Sequence, residues 1–187
     1  MDAKHTSQSP PFRGPRAWLV AALLAVACFA AQAESERAQY DEYGMKAACL
    51  SNFGKFTTWP DGTFGDAAAP LVIGILGTDP FGSSLEKVAQ VRISGRKVVI
   101  RRGRNVADMR GCQIVFIAKS ERNRIGEILD ALKGAAILTV GESDQFTRQG
   151  GAIGFWMNGD QVRFDINATA ARRAGLQLDA QLQKLAK

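Results

Sequence analysis

Two hydrophobic periods alternate along the chain. Within Ser35 to Trp59, the residues Tyr43, Ala47, Leu50, Phe53 and Phe56 recur every three or four positions, one stripe of a helix that Pro60 ends. Leu71 to Leu76 is an unbroken apolar run and predicts a strand covered on both faces. Asp79 and Pro80 supply an N-cap and a first helical residue for a helix to about Gln90. Lys97 to Arg101, bounded by Gly95 and Gly103, is a second strand, and Gln113 to Ala118 is a third. Ser120 is placed to cap a helix over Glu121 to Lys133, whose Ile125, Ile128, Leu129 and Leu132 share a face before Gly134 stops it. Ala136 to Val140 is the fourth strand.

After a connector from Gly141 to Gly151 the period becomes two. Ile153, Phe155 and Met157 precede Asn158-Gly159, and Val162, Phe164 and Ile166 follow, interleaved with Arg163 and Asp165. Asn-Gly between alternating runs is a strong hairpin signal, with a type I′ turn expected. Asn167 can cap a helix over Ala168 to Ala174; Gly175 breaks it, and Leu178, Leu182 and Leu185 make a stripe toward the C-terminus. Four apolar strands separated by crossover helices predict an α/β, three-layer fold: a mainly parallel sheet, helices on both faces, and a C-terminal antiparallel hairpin.

The start of the chain alters the chemical inventory. Lys4, Arg13 and Arg16 precede an uncharged run from Ala17 to Ala30, and Ala31-Gln32-Ala33 closes it. That order describes a secretory signal peptide over residues 1–33, leaving residues 34–187 as a single domain. The run is shorter than the ~20 residues that span a bilayer, so no membrane insertion of the mature chain is expected. Lipidation at Cys28 is disfavoured, because Ala25-Val26-Ala27 departs from the leucine-led processing box.

With the leader goes His5, the one histidine, and the cysteines left are Cys49 and Cys112. Ser-His-Asp and Cys-His catalysis need an imidazole, and a His/Cys zinc site needs more ligands than two thiols. No Gly-x-Gly-x-x-Gly or Gly-Lys-Ser/Thr loop occurs, so no cofactor is expected, no metal site either, and the chain does not read as an enzyme. The two cysteines carry two readings. Paired in an oxidising compartment, they would close a loop of about 63 residues and stabilise by roughly 4 kcal/mol; unpaired, they are two small buried side chains.

Ligands of such sheets sit beyond the carboxyl ends of the strands. Asp79, Glu142 and Asp144 lie there, either as an acidic pocket or as caps and solvated loop acids. Arg92, Arg96, Lys97, Arg101, Arg102, Arg104 and Arg110 form the densest cationic cluster, which fits an acidic partner or a charged edge that blocks stray strand pairing. Nucleic acid is excluded as a partner by export and by the lack of interleaved aromatics.

Ordered motifs run through the rest: Tyr43-Gly44-Met45-Lys46-Ala47-Ala48, Asn52-Phe53-Gly54-Lys55-Phe56 leading to Trp59-Pro60, Gly77-Thr78-Asp79-Pro80-Phe81-Gly82, Gly111-Cys112 leading to Ile117, Leu138-Thr139-Val140-Gly141, and Phe164-Asp165-Ile166-Asn167. On these, residues 40 to 187 resemble the YfiR family. The resemblance implies a small periplasmic protein that restrains an inner-membrane diguanylate cyclase by binding its periplasmic sensor region, lowering cyclic di-GMP and biofilm formation. It also implies a homodimer, and it puts Cys112 on the family's strand-leading cysteine. A protein without catalytic equipment acts by its surface, and the expected partner-binding patch is Trp156, Arg163, Asp165, Arg172 and Arg173, types that dominate interface energies. Trp156 fits the core equally well. The other reading is a periplasmic small-solute-binding module with its pocket beside Thr78 and Glu142.

Overall fold

The unbroken apolar run dictates the centre of the molecule. β2 (Leu71–Leu76) is buried throughout because its alternate residues face two cores: Leu71, Ile73 and Ile75 enter one, Val72 and Leu76 the other. The structure, a computed structural model, describes residues 42–186. The expected signal peptide over 1–33 lies outside the described residues. Helix α1 (residues 42–55) leads to β1 (Thr57–Thr58), β2, α2 (Ser84–Ala89), β3 (Arg92–Ile93), β4 (Arg96–Gly103) and β5 (Ile114–Ile117). Then come α3 (Ile125–Ala131), β6 (Leu138–Gly141), β7 (Ile153–Asn158), β8 (Gln161–Ile166), α4 (Ala168–Arg173), β9 (Gln177–Leu178) and α5 (Ala180–Leu185).

The main sheet runs in the order β3-β4-β2-β5-β6-β7-β8. Neighbours from β4 to β7 are parallel; β3 and β8 are antiparallel additions at the two edges. Residues of α1, α2, α4 and α5 build the first core with Phe53, Leu85, Ala171 and Leu182, while α3 and Phe146 cover the opposite face. The expected three-layer, mainly parallel α/β sheet with a C-terminal hairpin is therefore the observed one. Among the described residues no helix is long and apolar enough to cross a membrane.

Several boundaries differ, each for a local reason. Helix α1 ends before Pro60: Thr57 turns its hydroxyl onto the Phe53 carbonyl at 2.7 Å, and Thr57 and Thr58 pair antiparallel with Leu178 and Gln177. Leu178 is thus a strand residue, and of the predicted C-terminal stripe only Leu182 is buried. Asp79 caps a turn rather than α2, accepting from the Phe81 N–H at 2.8 Å, and α2 starts at Ser84. Ser120 does not cap α3; its hydroxyl accepts the Thr78 N–H at 3.0 Å, and residues Lys119–Arg124 form a tighter 3₁₀ turn. The hairpin turn is Gly159-Asp160, with Asn158 paired to Gln161. Positive φ at Gly159 alone, +58°, is the type II′ pattern with glycine first.

Cys49 packs against the first core and Cys112 belongs to the second, so the sheet stands between them. Both thiols are free. A disulfide needs Cα atoms about 4.4–6.8 Å apart with side chains facing each other, so of the two readings the structure has the unpaired one. The reason for Cys112's position is Gly74 of β2. A Cβ there would lie 2.9 Å from Cys112 Sγ and 2.6 Å from Met109 Sδ, so only glycine admits both sulfurs onto this face of the sheet.

Candidate functional site

Where the strand order reverses, between the carboxyl ends of β2 and β5, the chain fills its own crevice. The Gly77 N–H donates to the Gly103 carbonyl at 2.9 Å, and Ser120 and Glu121 occupy the space a side chain at Gly77 would need. Asp79 pairs here with Arg102 at 2.7 Å, and Arg102 also reaches Glu86 at 3.1 Å.

An open cleft of about 580 Å³ lies further along, beyond the ends of β5, β6 and β7. Helix α1 contributes Glu42 and Lys46; the end of β6 contributes Glu142 and Ser143; β7 contributes Phe155, Trp156 and Met157; β8 contributes Asp165. Lys46 is the anchor of its floor. It sits three residues after Tyr43 and four before Leu50, on the apolar stripe of α1, and its side chain is only 4% exposed. An ammonium so buried needs partners. Its Nζ lies 2.5 Å from Glu42 Oε1 and 2.6 Å from Glu142 Oε2, and 4.5 Å from the centre of the Tyr43 ring.

Glu142, equally buried, is held from three sides. Besides Lys46, the Tyr43 hydroxyl donates to Oε2 at 3.0 Å and the Lys119 backbone N–H to Oε1 at 3.2 Å. Burial, and then the Glu142 carboxylate, push the Tyr43 phenol above its ordinary range, so it remains a donor. Ser143 Oγ is buried beside this group with no partner among the described residues.

Above the floor the surface is open. Trp156 is 40% exposed and, on the other face of β7, Met157 is 39% exposed. Across the hairpin Trp156 pairs with Arg163 and Gly154 with Asp165, so alternation puts Trp156, Arg163 and Asp165 on one face. Arg163 donates to Gln161 at 2.6 Å, and Thr147 donates its hydroxyl to Asp165. Arg172 and Arg173 belong to α4, on the opposite side of the sheet; Arg172 reaches Thr169 at 3.1 Å, and Arg173 borders a different cleft with Gln149 and Ala170. The structure thus joins three of the five expected patch residues and separates the other two.

The candidate acidic pocket is not assembled: Asp79 is engaged by Arg102, Glu142 by Lys46, and Asp144 is an exposed residue at the cleft rim. Thr78 does not border the cleft that holds Glu142, so the pocket of the solute reading is not formed as expected. No group of acids and thiols among the described residues is arranged to hold a metal ion. Three residues of the cationic cluster are held by the backbone. Arg92 donates to Gly95, Arg96 to Asp66, Ala67 and Ala69, and Arg101 to Arg110 at 2.6 Å. Sequence reasoning missed Glu42, Tyr43 and Lys46; the available signal was a lysine on an apolar helical stripe, which demands a buried anion.

Fold and site together define a doubly wound α/β domain that presents a surface cleft closed at its floor by internal ion pairs. The chain belongs to the YfiR/HmsC-like family, whose model matches residues 43–187. Membership points to periplasmic regulation of diguanylate cyclase signalling, in a family that is regulatory rather than catalytic. No curated protein matches the chain. A solved conserved domain protein from Vibrio cholerae is similar at 13% identity with a TM-score of 0.46, over 63% of this chain and 54% of that one, too loosely to bear on function.

Proposed function

We propose that this protein binds the periplasmic sensor region of an inner-membrane diguanylate cyclase and inhibits it, lowering cyclic di-GMP and biofilm formation. The observation that carries this reading is the uncovered hairpin face, where Trp156 stands exposed beside Arg163 and Asp165. An exposed tryptophan with flanking polar residues is the kind of anchor on which protein interfaces concentrate their energy. The floor beneath it favours a protein over a solute, because its polar groups are already engaged with one another: Lys46 pairs with both Glu42 and Glu142, and Tyr43 donates to Glu142. Inhibition then follows if the complex stabilises the inactive one of two cyclase states.

Trp156→Ala tests the placement. Capture of the membrane cyclase by the variant should weaken by about thirtyfold, the scale of a 2 kcal/mol anchor. Cellular cyclic di-GMP should rise to the level of a strain lacking the protein, with the melting temperature close to wild type. Unchanged capture and unchanged cyclic di-GMP sink the reading. The variant Arg172→Glu with Arg173→Glu, on the other side of the sheet, serves as the comparison and should leave capture within about twofold.

A further inference from the structure

The group at the floor of the cleft is paired but not balanced. One ammonium, Lys46, faces two carboxylates, Glu42 at 2.5 Å and Glu142 at 2.6 Å. The Tyr43 hydroxyl adds a hydrogen bond to Glu142 and no charge, since burial keeps the phenol protonated. The four side chains therefore hold one negative charge in excess, and those of Lys46 and Glu142 are each only 4% exposed. An excess charge held away from water is costly until a counter-charge reaches it. On a chain whose formal net charge is +6, the floor is a local reversal of sign.

The walls of the cleft add to that bias. Asp165 accepts from the Thr147 hydroxyl and Asp144 is exposed at the rim; among the described residues neither has a cation within ion-pair distance. Ser143 borders the same cleft, and its Oγ is buried with no hydrogen-bond partner among the described residues. A buried oxygen in that state calls for a donor from outside the chain. The other cations that border the cleft, Lys119 and Arg148, are exposed, where water and salt screen them.

We propose that the cleft receives an arginine side chain of the cyclase sensor region, an inference that rests on the docking reading above. A guanidinium brings the single positive charge that the floor lacks. Its five N–H donors serve Ser143 Oγ and the carboxylate lone pairs that Lys46 leaves open. It is also more weakly hydrated than an ammonium, so it leaves water at less cost. Glu42, with its side chain 26% exposed, is the carboxylate within reach of an entering group. Trp156 borders the same cleft, and guanidinium groups stack on such rings. A metal ion is the poorer occupant, because no acids and thiols among the described residues are arranged to hold one.

The first arm of the test needs no cyclase. Nα-acetyl-arginine methylamide is titrated into the purified ¹⁵N-labelled protein, beside the uncharged citrulline and the anionic glutamate analogues. The arginine probe should shift the Trp156 indole N–H signal with a dissociation constant of about a millimolar, and citrulline should bind about tenfold more weakly or worse. Glu42→Gln makes the floor neutral and keeps the Lys46–Glu142 pair, so it should weaken the arginine probe about tenfold at an unchanged melting temperature. Equal binding of arginine and citrulline, a preference for glutamate, or undiminished binding by Glu42→Gln overturns the proposal. If Glu42→Gln does not fold, Ser143→Ala decides: it should weaken the probe about threefold, and an unchanged affinity overturns the proposal. The second arm is capture of the membrane cyclase, which Glu42→Gln should weaken about tenfold. If Trp156→Ala weakens capture and Glu42→Gln does not, the arginine is overturned and the docking reading stands. If neither variant alters capture, the docking reading falls and takes the partner's arginine with it.

Discussion

At the β3–β4 flank of the sheet, Arg96 donates to three carbonyls of the preceding loop and stacks on Phe64 at 4.0 Å, and Arg102 bridges Asp79 and Glu86. At the β7–β8 flank the charges are few and sunk into the cleft floor, while Trp156 and Met157 stand exposed. The first flank holds more charge, and Arg92, Arg96 and Arg101 spend theirs on backbone carbonyls. A dense cationic stretch looks like a binding surface in sequence, yet guanidinium groups are also the best clamps for loop carbonyls, with five donors each. On the proposed reading the interaction surface is marked by the apolar group left uncovered, not by the abundance of charge.

The largest effect that sharpens this contrast is expected at the cleft floor. Glu142→Ala leaves Lys46 buried with Glu42 as its one carboxylate and frees the Tyr43 hydroxyl. Removing one member of a buried pair costs about 3–5 kcal/mol. Urea denaturation should show a loss of that order, and adding Lys46→Met should recover a substantial part of it. A loss below about 1 kcal/mol would mean that the floor is wet and its ion pair no different from the surface pairs of the other flank.

Much of this arrangement is legible in the chain. The apolar runs of β2, β5 and β6 and the alternating hairpin mark the sheet, because burial on two faces or one leaves a direct imprint on composition. What escaped were features decided by tertiary contact. β1 and β9 are two residues each and exist only because they meet. Ser120 reads as a helix cap until the Thr78 amide arrives as a competing donor. Cys49 and Cys112 carry a paired and an unpaired reading until the sheet is placed between them. At the site, Trp156, Arg163 and Asp165 share a face because alternation fixes it, whereas Arg172 and Arg173, near in sequence, are carried across the sheet by the turn into α4. The Lys46–Glu142 contact spans 96 residues, beyond any local pattern.

Arg96→Ala probes the first flank. It removes donors to Asp66, Ala67 and Ala69 and the stacking on Phe64, and should cost about 1–2 kcal/mol in urea denaturation. Cyclase capture should be unaltered, the reverse of Trp156→Ala. If Arg96→Ala abolishes capture at unchanged stability, the cationic edge is the docking surface and the contrast between the flanks is inverted.

The smallest effect separates the flanks by pH. Tyr43 is held neutral by burial and by the Glu142 carboxylate, so its phenol titrates above the ordinary value of 10.0. A group raised in the folded state stabilises fully below its unfolded pKa and loses that contribution as pH climbs toward the folded one. Stability should therefore be level to about pH 10 and fall beyond it. Arg102 is also raised, chiefly by its hydrogen bond to Asp79, and a guanidinium keeps its charge throughout the accessible range. Arg102 then contributes nothing to an alkaline decline. Tyr43→Phe removes one hydrogen bond, worth about 1 kcal/mol or less at neutral pH, and should flatten the decline above pH 10. A Tyr43→Phe variant that declines as steeply as wild type would assign the alkaline sensitivity to some other group and leave the phenol as packing alone.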